Sequence, residues 1–375
     1  MKKYFNFTKY IAVLASVLVL LLGCTSSDDR RCSMNKFSLN EIIACAMDDG
    51  EINSLSMPDE WVNWEDTWSD IKLFYNIEHT DTDMGSAEVL DAFSAFATDG
   101  ENSGDIGDVS YVYAHEAEKQ GLTLKYKTTY WDEIPSWAKD DDGDWVVCYT
   151  GSLAFLINND IVSEPPDSWA DILKGDYKVG ISDVINGSLG KYSVYAAAIA
   201  MGGSSENIEP GIQYFKTLAE QGRLVYNMND FDDFMENDIG VQMKWDFTAL
   251  NYRDLALELS KPVNLSACIP SDGSLTTGFA SIINANAANP FAAALAREYI
   301  LSDAGQLNLV NGYATPIRSV VIPEEIVKKR IPSEQYTDEM SENALKYSYK
   351  IGEKIVSRWT DTVMSVLTAS EGGNK

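Results

Sequence analysis

The feature that most constrains this chain is its alternation of short apolar strands with longer amphipathic helices, with loops rich in Asp, Ser and Gly where the strands end. Residues 39–47 read as an amphipathic helix closed by Asp48-Asp49-Gly50, and 51–56 as a strand stopped by Met57-Pro58-Asp59. Trp61, Trp64 and Trp68 follow at helical spacing. A second strand over 76–80 runs into Asp81-Thr82-Asp83-Met84-Gly85-Ser86, and the next helix carries Val89, Leu90, Phe93 and Phe96 on one face. Residues 106–113 alternate as a third strand. This order predicts right-handed parallel crossovers in an α/β sheet, whose ligands bind at the strand C-terminal ends.

The second half repeats the pattern. After a hairpin at 138–145 comes a long strand over 146–158 broken by Gly151, then a helix at 169–173 and a strand at 178–182 that leads into Asn186-Gly187-Ser188. Helices over 192–201 and 210–220 precede a strand at 240–245, and Asp246 follows it directly. At 375 residues the chain exceeds what one compact core absorbs, so two α/β lobes with facing loops, and a cleft between them, are expected.

The N-terminus is set apart. Lys2, Lys3 and Lys9 precede an uncharged apolar run over 11–22, about 18 Å long as a helix and too short for a hydrocarbon core of about 30 Å. The run ends in Leu21-Leu22-Gly23-Cys24, which resembles a bacterial lipoprotein processing box. It predicts a signal peptide over 1–24, lipidation of Cys24 and a polar tether over 25–36, with the protein held by lipid on the outer face of a bacterial membrane. Cys32, Cys45, Cys148 and Cys268 permit two disulfides in three pairings, and the spacing does not choose between them.

Composition removes other classes. The chain has 29 basic and 57 acidic residues, a net charge of −28, which argues against nucleic acid and against an anionic membrane surface as partners. There are two histidines, His79 and His115, and no Cys-x-x-Cys, Walker loop or Gly-x-Ser-x-Gly. No metal or cofactor is called for, and no nucleophile stands beside a base, so a secreted enzyme is the weakest of the function classes.

Specific phrases sharpen the reading: Met57-Pro58-Asp59-Glu60-Trp61, Gly85-Ser86-Ala87-Glu88, Tyr149-Thr150-Gly151-Ser152-Leu153-Ala154-Phe155, Pro166-Asp167-Ser168-Trp169, Trp245-Asp246-Phe247 and Gly312-Tyr313-Ala314-Thr315-Pro316-Ile317-Arg318. In this order and spacing the chain resembles the extracellular solute-binding proteins of ABC importers. The resemblance is to family 1, in the branch that includes binders of ferric iron, polyamines, aminoethylphosphonate and phosphorylated small molecules. It covers residues 37–318.

The resemblance implies a two-lobed periplasmic-binding-protein fold of type II, with the ligand cleft between lobes. Residues 37–147 and about 271–318 would form lobe one, 153–265 lobe two, and 146–152 and 263–270 the crossings. Cys148 and Cys268 would then lie on neighbouring strands, within about 10 Å. Residues 332–367 read as helical, with Leu345, Ile351, Ile355, Trp359, Val363 and Val366 as a packed apolar stripe.

Function is then closure around a small solute and its delivery to permease subunits; a sensory lipoprotein that presents ligand to a receptor shares every one of these features. The site residues expected on the facing loops are Asp59, Trp61, Ser86, Ser152, Asn186, Gly187, Ser188, Trp245 and Asp246. Ser86 reads equally as a helix cap, and Trp61 as a core residue. Iron sites in the relatives use adjacent tyrosines, and this chain has no Tyr-Tyr pair. Asp59, Asp246 and Glu88 with Trp61 and Trp245 make a lining for an amine. Ser86, Ser152 and Asn186-Gly187-Ser188 make a neutral cradle for phosphate or phosphonate. A polyamine, an aminophosphonate and a phosphorylated compound thus remain as solutes, with the amine favoured because an uncompensated Asp246 would repel an anion.

Overall fold

The computed structural model describes residues 34–99 and 104–372. The segment expected to be a signal peptide, the expected lipidation site Cys24, and Cys32 lie outside them. Ten strands are present among the described residues: β1 (Glu51–Leu55), β2 (Glu78–Thr82), β3 (Ile106–Ser110), β4 (Trp145–Asn158), β5 (Lys178–Ile181), β6 (Leu224–Tyr226), β7 (Ile239–Trp245), β8 (Leu265–Cys268), β9 (Thr276–Ile283) and β10 (Thr315–Pro316). Their order is β2-β1-β3-β9-β4-β7-β5-β6, with β8 and β10 also pairing β4.

The strands divide into two parallel groups. β1 is parallel to β2 and β3, and β5 is parallel to β6 and β7, as strand-helix-strand crossovers require. Each group is closed by one antiparallel neighbour, β9 against β3 and β4 against β7. β4 belongs to both. Its residues up to Ser152 pair with β9, and from Leu153 onward it pairs with β7. The fold is therefore α/β with two lobes that share one continuous strand. Helices cover both groups, and among the described residues none is long and apolar enough to cross a membrane.

Gly151 sits where β4 changes partner, and it does not break the strand. A Cβ there would lie 2.4 Å from the ring of Phe247, so the absent side chain is what lets the aromatic packing reach the hinge. The third strand stops at Ser110, and Tyr111 opens a helix (Tyr111–Lys119). All five residues of β3 are buried, so the apparent alternation over 106–113 misread a strand covered on both faces.

The expected closeness of Cys148 and Cys268 fails. Cys268 pairs with Phe155, seven residues further along β4, or about 23 Å at 3.3 Å per residue. The neighbours of Cys148 pair with Ala280 and Phe279 on β9 instead, and both thiols are free. After β8, which ends at Cys268 against the distal half of β4, the chain next pairs β4 from Thr276, opposite Ser152.

Beyond β10 the chain crosses the back of β4 and ends in helices Asp338–Lys346, Tyr349–Trp359 and Ser365–Gly372. Ile355, Trp359 and Val363 are fully buried, with the Trp359 ring against Phe215 and Tyr226. Leu345 departs from that stripe and faces solvent.

Candidate functional site

A cavity of about 310 Å³ opens between the lobes at the C-terminal ends of β1, β3, β5 and β7. Six of the nine expected residues line it: Trp61, Ser86, Asn186, Gly187, Ser188 and Trp245. Asp59 lines an adjoining cavity of about 730 Å³, which shares Pro58, Trp61, Asp83 and Asn229 with the first. Ser152 and Asp246 are not brought to either one.

The loop carrying Asp59 and Trp61 is held in an unusual backbone. Ser56, Val62 and Asn63 have φ of 62°, 45° and 62°, and for β-branched Val62 this is a costly region, of order 1–3 kcal/mol. Surrounding structure holds it there. A Cβ on Gly312 would lie 2.3 Å from the Val62 carbonyl carbon, so glycine is required, and Asn63 Nδ2 donates to the Asn308 carbonyl at 3.0 Å. Trp61 is thereby aimed inward, with its Nε1 donating to the Tyr149 hydroxyl at 2.7 Å and its ring edge-on to Phe247 at 5.1 Å. Trp245 and Phe279, 5.2 Å apart, complete an aromatic wall.

Two helix N-termini face each other across the cavity, those of Ser86–Asp99 and Ser188–Ala200. They approach closely: a Cβ on Gly85 would lie 2.9 Å from the carbonyl oxygen of Asn186. The side chains there are already engaged. Ser86 Oγ accepts from the Ser110 backbone N–H at 3.1 Å, which ties the helix start to the end of β3 and is not a cap on its own helix. Glu88 folds back so that its carboxylate accepts from Gly85 N–H at 2.7 Å. Asp183 accepts from Ile185 N–H, Asn186 Nδ2 and the Tyr226 hydroxyl, and these bonds outweigh its burial to lower its pKa. At the first of these helix starts the chain's own Glu88 carboxylate therefore lies where the helix end favours negative charge.

The lining is acidic throughout. Asp83, Glu88, Asp108 and Asp183 line the inner cavity, and Asp59, Glu60, Glu65, Asp66, Asp230 and Asp232 are added in the outer one. Among the described lining residues none is Lys, Arg or His. The cations in the neighbouring core sit behind the wall. Lys244 Nζ donates to the Asn229 carbonyl at 2.7 Å, and burial lowers its pKa to about 7 against the opposing charges of Asp230 and Asp233. Lys191 donates to the Tyr113 hydroxyl at 2.9 Å. Arg318 is committed to Glu133 and Asp303.

Asp108 was missed by the sequence reading, which took its strand as alternating. It is 5% exposed, lines the cavity, and has one side-chain bond among the described residues, from the Tyr149 hydroxyl at 2.5 Å. Burial raises its pKa well above the usual carboxylate range; the Tyr149 bond opposes this and Asp81 adds to it. The one available signal was an acid inside an otherwise apolar strand near its C-terminal end. Asp83, half-buried, is likewise raised by burial, in spite of the Met84 N–H and with Glu60 and Glu88 adding to the rise.

Asp246 has a different role. Its Oδ1 accepts from the N–H groups of Ser152 and Phe247 at 3.0 and 2.9 Å, and its Oδ2 from the Tyr336 hydroxyl at 2.8 Å. It ties β4 to the C-terminal segment behind the hinge. Outside the cleft, Glu118, Asp140 and Asp144 bring a ligand atom each within 4.8 Å of one another. The oxygens of that trio already accept from Trp145, three backbone N–H groups and Thr123.

The fold recurs in solved structures. The periplasmic binding protein AfuA from Actinobacillus pleuropneumoniae, with fructose-6-phosphate bound, matches at a TM-score of 0.64 and 15% identity over 84% of this chain and 99% of its own. A periplasmic thiamin binding protein matches at 0.65 and 15% identity, over 84% and 96%. A ferric binding protein from Campylobacter jejuni matches at 0.59 and 18% identity, over 84% and 99%. At these identities the likeness shows the fold. No curated protein sequence matches the chain at a significant level. The family described as "Bacterial extracellular solute-binding protein" matches residues 105–346, more than half of the chain. These relatives bind solutes and are not enzymes, and with that match the chain belongs to the bacterial extracellular solute-binding proteins.

Proposed function

We propose that this chain captures a small solute carrying at least one amine in its interlobe cleft and delivers it to the permease subunits of an ABC importer, tethered to the membrane by a lipid on Cys24. The observation that carries the reading is the lining: ten carboxylates and no basic side chain among the described residues of the two cavities. Such a cleft focuses a negative potential, favours cations and repels phosphate, phosphonate and carboxylate ligands. Trp61, Trp245 and Phe279 supply ring faces for the cation–π part of amine recognition, and Asp83 and Asp108 the charge-assisted hydrogen bonds.

Closure follows from the geometry. Asn251 Nδ2 reaches the Glu60 carbonyl at 3.4 Å, and Trp61 meets Phe247, so the lobes touch across the cleft mouth. A solute bound to both lobes stabilises this closed form by its differential affinity, and the permease then reads the closed shape. The amine reading agrees with the sequence-based preference but rests on other residues, Asp83 and Asp108 in place of Asp246. The test is a thermal-shift screen of the full chain against diamines, amino alcohols, sugar phosphates and phosphonates. A ligand at 100 times its Kd adds about 2.7 kcal/mol. Stabilisation by amines alone supports the reading, and stabilisation by phosphates alone overturns it.

A further inference from the structure

Asp108 is a buried carboxyl on a cavity wall, with a single neutral partner. Around it β4 contributes Tyr149 and the buried thiol of Cys148, β2 contributes Asp81, and β9 contributes Ser281 opposite it in register. Arg297 stands behind Ser281, with its guanidinium spent on Ser281 and on the carbonyls of Tyr126, Gly143 and Asp144. Facing Asp108 in the cavity are Asp83, Glu88 and Asp183. None of these supplies a positive charge to it.

The hydrogen-bond chain fixes where a proton would sit. The Tyr149 oxygen accepts the Trp61 indole N–H, so its own hydroxyl hydrogen points to Asp108 Oδ2. Among the described residues no donor reaches Oδ1, which is the oxygen left to carry a proton or to meet a ligand. A buried, unpaired carboxylate costs several kcal/mol, whereas the neutral acid does not.

We infer that Asp108 is protonated in the empty cleft and loses that proton when a cationic solute arrives, so that capture is coupled to the release of one proton. The inference rests on the amine reading above. In the step, the O–H bond of the Asp108 carboxyl breaks, the proton passes to bulk water, and the carboxylate left behind accepts an N–H from the ligand ammonium. No electron changes hands. Burial and the neighbouring acids favour the neutral form before binding, and the ligand charge favours the ionised form afterwards. Between the two pKa values affinity rises by up to about tenfold per pH unit, and above both it is flat. Ionisation also converts the Tyr149 bond into a charge-assisted one, which tightens the Trp61 loop against the hinge strand.

The test is calorimetric titration of the full chain with putrescine, repeated at each pH in two amine-free buffers of different ionisation enthalpy, over a pH series upward from the ordinary carboxylate range. The difference in apparent enthalpy between the buffers gives the protons released. The expected result is a release approaching one proton, with affinity rising over the same pH range. Asp108→Asn binds more weakly, with no release and a flat profile, while Asp83→Asn binds more weakly but keeps the release. Should Asp108→Asn not fold, infrared difference spectra of the wild-type chain read the same event as loss of a carboxylic-acid carbonyl band on adding putrescine. Binding without release and without loss of that band removes this inference and leaves the amine reading standing; release that persists in Asp108→Asn does the same. If neither putrescine nor any amine in the screen binds, both are overturned.

Discussion

Two buried aspartates beside β4 are each bonded to a tyrosine hydroxyl, and the two are not alike. On the cleft side, Asp108 meets Tyr149; behind the hinge, Asp246 meets Tyr336. Burial raises the pKa of both. What separates them is the rest of their bonding. Asp246 accepts two further backbone N–H groups and borders neither of the interlobe cavities, whereas Asp108 accepts nothing further among the described residues and borders the inner one. A buried acid by itself thus says little about function. An acid with unused acceptor capacity beside open space is the one poised for a ligand.

The comparison predicts opposite consequences of substitution, and the largest is structural. Asp246→Ala leaves the N–H groups of Ser152 and Phe247 and the Tyr336 hydroxyl without an acceptor, and should cost about 3 kcal/mol or more in urea denaturation. Asp108→Asn should weaken amine binding by tenfold or more, about 1.4 kcal/mol, while the empty protein becomes no less stable at neutral pH. A loss of stability there as large as that of Asp246→Ala would erase the distinction between the two sites.

Smaller effects sharpen it. Tyr336→Phe removes one of three donors to Asp246 and should lower stability by about 1 kcal/mol with ligand affinity preserved. Tyr149→Phe removes the single donor to Asp108, so it should shift the pH midpoint of ligand binding upward, read from the same calorimetric scan. The smallest effect is on the empty protein. A carboxyl whose pKa is higher folded than unfolded holds more protons in the native state, so stability falls as pH rises from the ordinary carboxylate range through the folded value. Melting temperature against pH should show this decline, and Asp108→Asn should reduce it.

Much of the fold was legible because its signals are local. Strand-helix alternation, the Gly50 stop and loops placed at strand ends need only neighbouring residues, and they located Trp61, Ser86, Asn186-Gly187-Ser188 and Trp245 on the cavity wall. What was hidden depends on distant partners. Asp246 stands at a strand end as ligand residues do, but its hydroxyl donor lies ninety residues later, at Tyr336. Asp108 looked like the outward position of an alternating strand, and only the pairing of β3 with both β1 and β9, with the Trp61 loop over its end, shows that no position there faces water. The mistaken Cys148–Cys268 proximity has the same origin, since β4 exchanges one partner for another halfway along its length.

The most direct test of the account is a crystal structure of the full chain grown with putrescine. The prediction is a closed cleft with an amine nitrogen within hydrogen-bond distance of Asp108 Oδ1 and a ring face of Trp61 or Trp245 against the ligand. An amine seated behind β4 beside Asp246, or an inner cavity that admits only a phosphate at the Ser86 and Ser188 helix ends, would contradict it.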